Sequence, residues 1–185
     1  MLVLRKMTIG LISDSHGNFS NLEEAISRLR SHKVNKIIHL GDIFHGGLVK
    51  YDEVRSLRLM REKRIHGLKG NHDIKVVEML KTDCQTASMF SEKDVQYLRQ
   101  MPTTIDLGEE FRFSHCSVTG SLNSNYPRIR NALDAQTELA KITLHNRFGV
   151  YLLGHSHINR VFSRNCKGIS EIAPDFGKKI CMEES

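Results

Sequence analysis

The sequence predicts a layered α/β fold with one continuous core, and three observations carry that prediction. Short apolar runs bounded by turn residues alternate with stretches of helical periodicity, the second half is richer in strands than the first, and no repeat, low-complexity segment or linker interrupts the chain. A length of 185 residues suits one domain with a substantial core and leaves little room for two, so residues 1–185 are read as a single domain.

The elements follow in order. TIGLISD (Thr8–Asp14) is a short apolar run between turn residues, which reads as a buried strand. Ser20 with Glu23 three residues later has the form of a capping box, and Leu22, Ala25, Ile26 and Leu29 then recur at i, i+3, i+4 and i+7. That is an amphipathic helix ending near Ser31 or His32. KIIHLGD is a second buried strand running to Asp42, and helical spacing returns at Val54, Leu57 and Met60. RIHGLKG reads as a third strand and IKVVEML as a helix. Ser91 and Asp94 cap a further helix through Val95, Leu98 and Met101, which Pro102 stops. TTIDLGEEFRFSH has the pattern of a hairpin with Gly108 in its turn. A long helix is drawn from Arg128 to His145, VYLLG is a strand, and Asn159–Met182 reads as two or three short strands.

Composition narrows the function classes. Hydrophobic residues make up 39% and charged residues 26%, the balance of a globular chain. No apolar stretch approaches the roughly 20 residues that a membrane-spanning helix needs, and MLVLRKM lacks the apolar core of a secretory signal. Cys84, Cys116, Cys166 and Cys181 form no C-x-x-C pair and no disulfide-like spacing, which points to reduced thiols and a cytoplasmic location. The net charge of +6 favours an anionic partner. RLRSHK and RLMREKR are the densest basic stretches; without interleaved aromatics they read as solvated helix faces, so nucleic acid is not the favoured partner.

The chemistry gathers where the strands end. Asp14 and His16 follow the first strand, Asp42 ends the second, and Asn71, His72 and Asp73 follow the third. His115 ends the hairpin, and His155 and His157 follow the strand after it. Loops at strand ends of an open α/β sheet converge on one edge of the core, where ligand sites form. In an extended segment residues i and i+2 point the same way, so Asp14 with His16, and His155 with His157, address one centre or two adjacent ones. Glycines before Asp42, Asn71 and His155 allow sharp turns and close backbone approach. Carboxylate, amide oxygen and imidazole together suit divalent ions such as manganese, iron or zinc rather than a thiolate-rich structural zinc site. Seven ligands exceed one catalytic ion and suit two that share a carboxylate. Turn chemistry alone explains Asp, Asn and Gly at such places, but not His16, His72, His115, His155 and His157.

The order D-x-H, G-D, G-N-H-D, a lone His and G-H-S-H resembles the calcineurin-like metallophosphoesterase superfamily, and within it the small bacterial and archaeal phosphodiesterase group. The stretch SEKDVQYLRQMPTTIDLGEEFRFSH is also similar to that group's helix, proline, hairpin and histidine arrangement, and the likeness runs from about Thr8 to Ile158. The resemblance implies an α-β-β-α sandwich in which helices flank two mixed β-sheets. It implies Asp14, His16 and His157 on a first metal, Asn71, His115 and His155 on a second, and Asp42 bridging them. His72 would then act on the leaving group with Asp73 orienting it, and His45 is a candidate substrate-binding residue. The implied cofactor is a pair of divalent ions, manganese first, with iron, zinc, nickel or cobalt as alternatives. The implied reaction is hydrolysis of a phosphate ester, a diester before a monoester, by in-line attack of a metal-bridging hydroxide on a small, nucleotide-like substrate.

Three departures qualify the resemblance. Cys116 stands where the pattern has glycine after the lone histidine, and RNCKGISEIAPDFG replaces the usual turn after G-H-x-H. GDIFHGG lacks the arginine of the protein Ser/Thr phosphatase branch, which lowers a phosphoprotein phosphatase reading. A catalytically silent scaffold of the same fold is the other alternative; the presence of His72 argues against it.

Overall fold

The computed structural model describes residues 7–122, 126–142, 148–165 and 168–172. Among them β1 (Ile9–Ile12), α1 (Phe19–Ser31), β2 (Lys36–His39), α2 (Tyr51–Glu62), β3 (His66–Gly67) and α3 (Asn71–Thr82) form the expected alternation. α4 (Cys84–Ser88), α5 (Glu92–Gln100), β4 (Thr104–Leu107) and β5 (Phe111–Ser114) follow, then α6 (Ala132–Leu139), β6 (Val150–Leu153), β7 (Val161–Asn165) and β8 (Gly168–Ile172).

Several boundaries depart from expectation for local reasons. α1 starts earlier than Ser20 because Asn18 is the N-cap: its side-chain oxygen accepts the Asn21 N–H at 3.1 Å. The expected box at Ser91 is present, with Ser91 and Asp94 capping each other's main-chain N–H groups. α6 is shorter than the helix drawn from Arg128 to His145. Its N-cap is Asn131, whose side chain accepts the Asp134 N–H at 2.9 Å; residues 143–147 lie outside the described residues, with His145 among them. The tail strands are present as the β7–β8 hairpin, and the expectation beyond Ile172 also lies outside the described residues, as do Cys166 and Cys181. α4 was not anticipated; five residues are too few to show a helical period.

β1, β2 and β3 form one sheet, parallel throughout among the described residues. β4, β5 and β6 form a second, mixed sheet in which β4 pairs antiparallel and β6 parallel with β5. Alternation along β2 shows how the layers stack. Ile37 belongs to a cluster with Leu22, Ile26, Val54, Leu57 and Met60 of α1 and α2, whereas Ile38 packs with Leu68 and Phe113. Ile9, Ile105, Phe111 and Leu152 border that second cluster, so the two sheets face each other through it while helices cover the outer face of the first. The apolar interior is therefore two clusters separated by the first sheet. Fully buried Ile38 and Phe113 each contribute about 2–3 kcal/mol by leaving water. The mutual orientation of the strands matters most for function. Parallel pairing sends the C-terminal ends of β1, β2 and β3 to one edge, and those of β5 and β6 to one edge, and the loops from both sheets meet there.

Candidate metal centre

The loops after β1 and β2 continue side by side beyond the strands. Asp14 N–H donates to the Gly41 carbonyl at 3.0 Å, His16 N–H to Asp42 at 3.0 Å and Gly17 N–H to Ile43 at 2.7 Å. These segments are not extended. Asp14, His16, Asp42, His155 and His157 all have φ between 43° and 66°, the left-handed region that non-glycine residues rarely enter. The i, i+2 argument from extended backbone therefore fails, because left-handed turns aim these side chains instead. Gly70 is placed for close approach: a Cβ there would stand 2.1 Å from Asp42 Oδ1.

Two sets of potential ligand atoms lie within 4.8 Å of one another around Asp14: Asp14 with His16 and His157, and Asp14 with Asp42 and His115. His155 joins His115 and Cys116 in a third, fully buried set. The pair His155 and His157 thus divides between two positions. His157 Nε2 lies 3.3 Å from Asp14 Oδ1, and the His155 main-chain N–H donates to both Asp14 oxygens at 3.1 and 3.2 Å. Asp42 Oδ2 stands 3.1 Å from His115 Nε2 and 4.0 Å from His16 Nε2, between the two groups. Asn71 is buried in the first turn of α3, and its Oδ1 accepts the Cys116 thiol at 3.6 Å.

Main-chain carbonyls set the tautomers of three rings. A carbonyl can only accept, so His16 Nδ1–H donates to Phe44 O at 3.1 Å, His115 Nδ1–H to Leu40 O at 2.7 Å and His155 Nε2–H to Tyr126 O at 3.0 Å. Each leaves its other nitrogen with a free lone pair, and a carbonyl that fixes one ring nitrogen in this way orients the imidazole and readies the other for a cation. His115 Nε2 is fully buried with no hydrogen-bond partner, and the His16 and His157 Nε2 atoms face each other at 3.1 Å. An orphaned buried nitrogen and a cluster of imidazoles beside two carboxylates are what a divalent cation would satisfy; the residues fit the implied metal.

Electrostatics agree with that reading. Burial works against ionisation of Asp42, yet His115 and the His72 main-chain N–H hold its pKa below the ordinary value. Burial likewise disfavours a charged His115, but Asp42, and behind it Asp14, outweigh burial and raise its pKa. Burial lowers His72 and His155, with Asp42 opposing in each case.

His72 stands apart from the ligand groups, its Nε2 3.8 Å from Asp42 Oδ2 and its ring edge-on to His16 with centroids 5.3 Å apart. Asp73 was expected to orient it. Its carboxylate instead accepts four main-chain N–H groups: Asp42 and Gly70 on Oδ2 at 2.9 and 2.8 Å, Ile43 and Phe44 on Oδ1 at 2.9 and 3.2 Å. Asp73 therefore ties the Asp42 loop to the start of α3, and reaches His72 only through the chain. His45 lies beside His16, ring centroids 5.6 Å apart, at the mouth of a groove of about 480 Å³ that Phe19, Lys50 and Tyr51 also line.

Sequence reasoning missed the residues that hold the loops of the site. Buried Glu53 accepts the His45 and Lys50 N–H groups, both at 2.7 Å. Glu138 of α6 accepts Ser117 and Val118 on one oxygen and Tyr126 and Lys141 on the other, fixing the segment whose carbonyl holds His155. Fully buried His39 accepts Gly41 N–H and donates to Ser15 Oγ, and burial drives its pKa down to about 3. It touches no candidate ligand side chain by hydrogen bond.

Residues 7–174 match the sequence profile of the calcineurin-like phosphoesterase superfamily domain. The fold superposes on the crystal structure of a metallophosphoesterase from Sphaerobacter thermophilus with a TM-score of 0.71 and 23% sequence identity, covering 94% of this chain and 71% of that one. A crystal structure put forward as a diadenosine tetraphosphatase is similar with a TM-score of 0.50 and 21% identity, covering 63% of this chain and 53% of that one. At these identities the likeness shows the fold. No curated protein matches this chain at a significant level.

Proposed function

This chain belongs to the calcineurin-like phosphoesterase superfamily, and from that premise we propose that it hydrolyses small, nucleotide-like phosphate esters, diesters foremost, at a site holding two divalent cations. The carrying observation is the convergence of Asp14, His16, Asp42, His115, His155 and His157 from two sheets, with three ring tautomers already set for coordination. Asp14, His16 and His157 would hold one cation, and Asn71, His115 and His155 the other. The position of Asp42 Oδ2 between His16 and His115 supports it as the shared ligand. Two divalent ions bound there supply Lewis-acid charge and a nucleophile at neutral pH.

The protein's own groups do the rest. His72 places Nε2 3.8 Å from Asp42 Oδ2 while its Nδ1 is buried, without a hydrogen-bond partner, against Gly46. From there it would donate a hydrogen bond to a phosphoryl oxygen and pass a proton to the departing oxygen. Asp73 keeps Asp42 and the first turn of α3 in register, which makes it a positioning residue. His45 would contact the substrate at the mouth of the groove, and the groove gives the second ester substituent a place to lie. The relative put forward as a diadenosine tetraphosphatase supports a nucleotide-like substrate. Manganese is the first cation to supply, ahead of iron, zinc, nickel and cobalt. Free Cys84 and Cys116 suit a reducing, cytoplasmic setting, and no described helix is long and apolar enough to cross a membrane.

The test is a metal count joined to a substrate panel. Chelator-stripped protein should regain two equivalents of cation, and with them hydrolysis of a chromogenic phosphodiester faster than of the matching monoester. Cation-replete protein inert toward diesters, monoesters, dinucleoside polyphosphates and phosphopeptides would overturn the proposal.

A further inference from the structure

We infer that Cys116 is itself a metal ligand, its sulfur joining Asn71, His115 and His155 around the second cation and biasing that position toward thiophilic metals such as zinc. This rests on the two-cation reading above and adds a donor to it. Adjacent residues of a strand point to opposite faces, but the chain bends at His115 and Cys116 immediately after β5, and both side chains turn to the same place. The ligand atoms of His115, Cys116 and His155 lie within 4.8 Å of one another, and all three residues are buried. The sulfur's hydrogen-bond partner is Asn71 Oδ1, at 3.6 Å, which is itself a candidate donor to the same cation. Independently, the buried His115 Nε2 lacks any hydrogen-bond partner beside it.

The step balances without an oxidant. The Sγ–H bond breaks, the proton leaves to solvent, and the sulfur lone pair binds the cation. Asn71 Oδ1, released from the thiol, turns its lone pair to the same ion. A thiolate among imidazoles and an amide strengthens the preference for zinc or cobalt over manganese beyond that of the oxygen-and-nitrogen set of Asp14, His16 and His157.

Cobalt titration of chelator-stripped protein reads the bond directly. Wild type should develop a sulfur-to-cobalt charge-transfer band in the near ultraviolet, Cys84→Ser should keep it, and Cys116→Ser should lose it while retaining the visible ligand-field bands. The preference for zinc over manganese should fall at least about tenfold in Cys116→Ser. Should that variant not fold, X-ray absorption at the zinc edge of wild type still decides: a sulfur neighbour at about 2.3 Å is expected, and a shell of nitrogen and oxygen alone overturns the inference. Two cations bound with identical spectra in wild type and Cys116→Ser would overturn it while leaving the two-cation reading intact. Protein that takes up no cation would overturn both.

Discussion

Replacing Glu53 with glutamine tests whether the His45 loop is held by a buried carboxylate. The side chain is 3% exposed and accepts two N–H groups, His45 and Lys50, at 2.7 Å each. Glutamine keeps the shape but supplies one acceptor and one donor, so one N–H meets an amide NH₂. His45 and Lys50 are both exposed, so the N–H that loses its acceptor can turn to water. Losing the charge on the retained bond costs about 1 kcal/mol, and the mismatched donor pair about 1 kcal/mol at a site that water reaches, against about 1–3 kcal/mol in a dry one. The expected loss is therefore about 2 kcal/mol, small enough against a typical 5–15 kcal/mol of total stability for the variant to fold. If about 1 kcal/mol of loop ordering moves into the binding step, KM rises roughly fivefold at nearly constant kcat. Cation content should be unchanged, because Glu53 hydrogen-bonds no candidate ligand. Urea denaturation and steady-state kinetics with a chromogenic diester measure both effects. Wild-type stability with unchanged KM would refute the reasoning, and so would lost cations with unchanged KM.

Other perturbations reach other parts of the molecule. His72→Ala should lower kcat by about 10²–10⁴-fold while both cations stay bound, read by turnover and metal analysis together. Gly70→Ala drives a methyl group to 2.1 Å from Asp42 Oδ1 and 2.4 Å from Asp42 N, so it should cost about 1–3 kcal/mol and weaken cation binding in a chelator competition. Asp94 is fully buried against Ser91, Arg58 and Arg61. Burial opposes its ionisation, but Ser91 and Arg58 outweigh it and its pKa is lowered. A lowered carboxylate contributes stability above its unfolded pKa of 3.8 and loses it as pH falls through the folded value. Asp94→Asn should therefore cost about 2 kcal/mol near pH 7, with the gap to wild type closing below pH of about 4 in denaturation curves.

The alternation of strands and helices, and the residues that converge at one edge as candidate ligands, were legible because each carries a local signal. Buried strands such as KIIHLGD are short apolar runs, and the histidines at strand ends have no turn-forming reason to be there. The start of α3 was less legible: Asn71, His72 and Asp73 read as loop after a strand, yet they form its first turn, where Asp73 takes up the Gly70 N–H. What holds the loops of the site was hidden. Glu53, Glu138 and Tyr126 act across eight to 29 residues of sequence through main-chain groups, which leave no mark on residue spacing. The aim of Asp14 and His16 was expected for the wrong reason, since side-chain alternation presumes an extended backbone and the φ values are left-handed.

Those left-handed φ values also set the order of events when a cation arrives. Asp14, His16, Asp42, His155 and His157 each sit in a conformation that costs about 1 kcal/mol or more. The main-chain bonds to Gly41 and Asp42 that hold the first two of them need no ion. At those two positions the chain's own hydrogen bonds offset the penalty, so cation uptake there is expected to resemble docking rather than coupled folding. Uptake should leave helical circular dichroism and the heat capacity of the native state nearly unchanged, and its rate should follow how readily the ion sheds water. A manganese ion, which exchanges its water quickly, would then enter faster than nickel, whichever of the two is held more tightly.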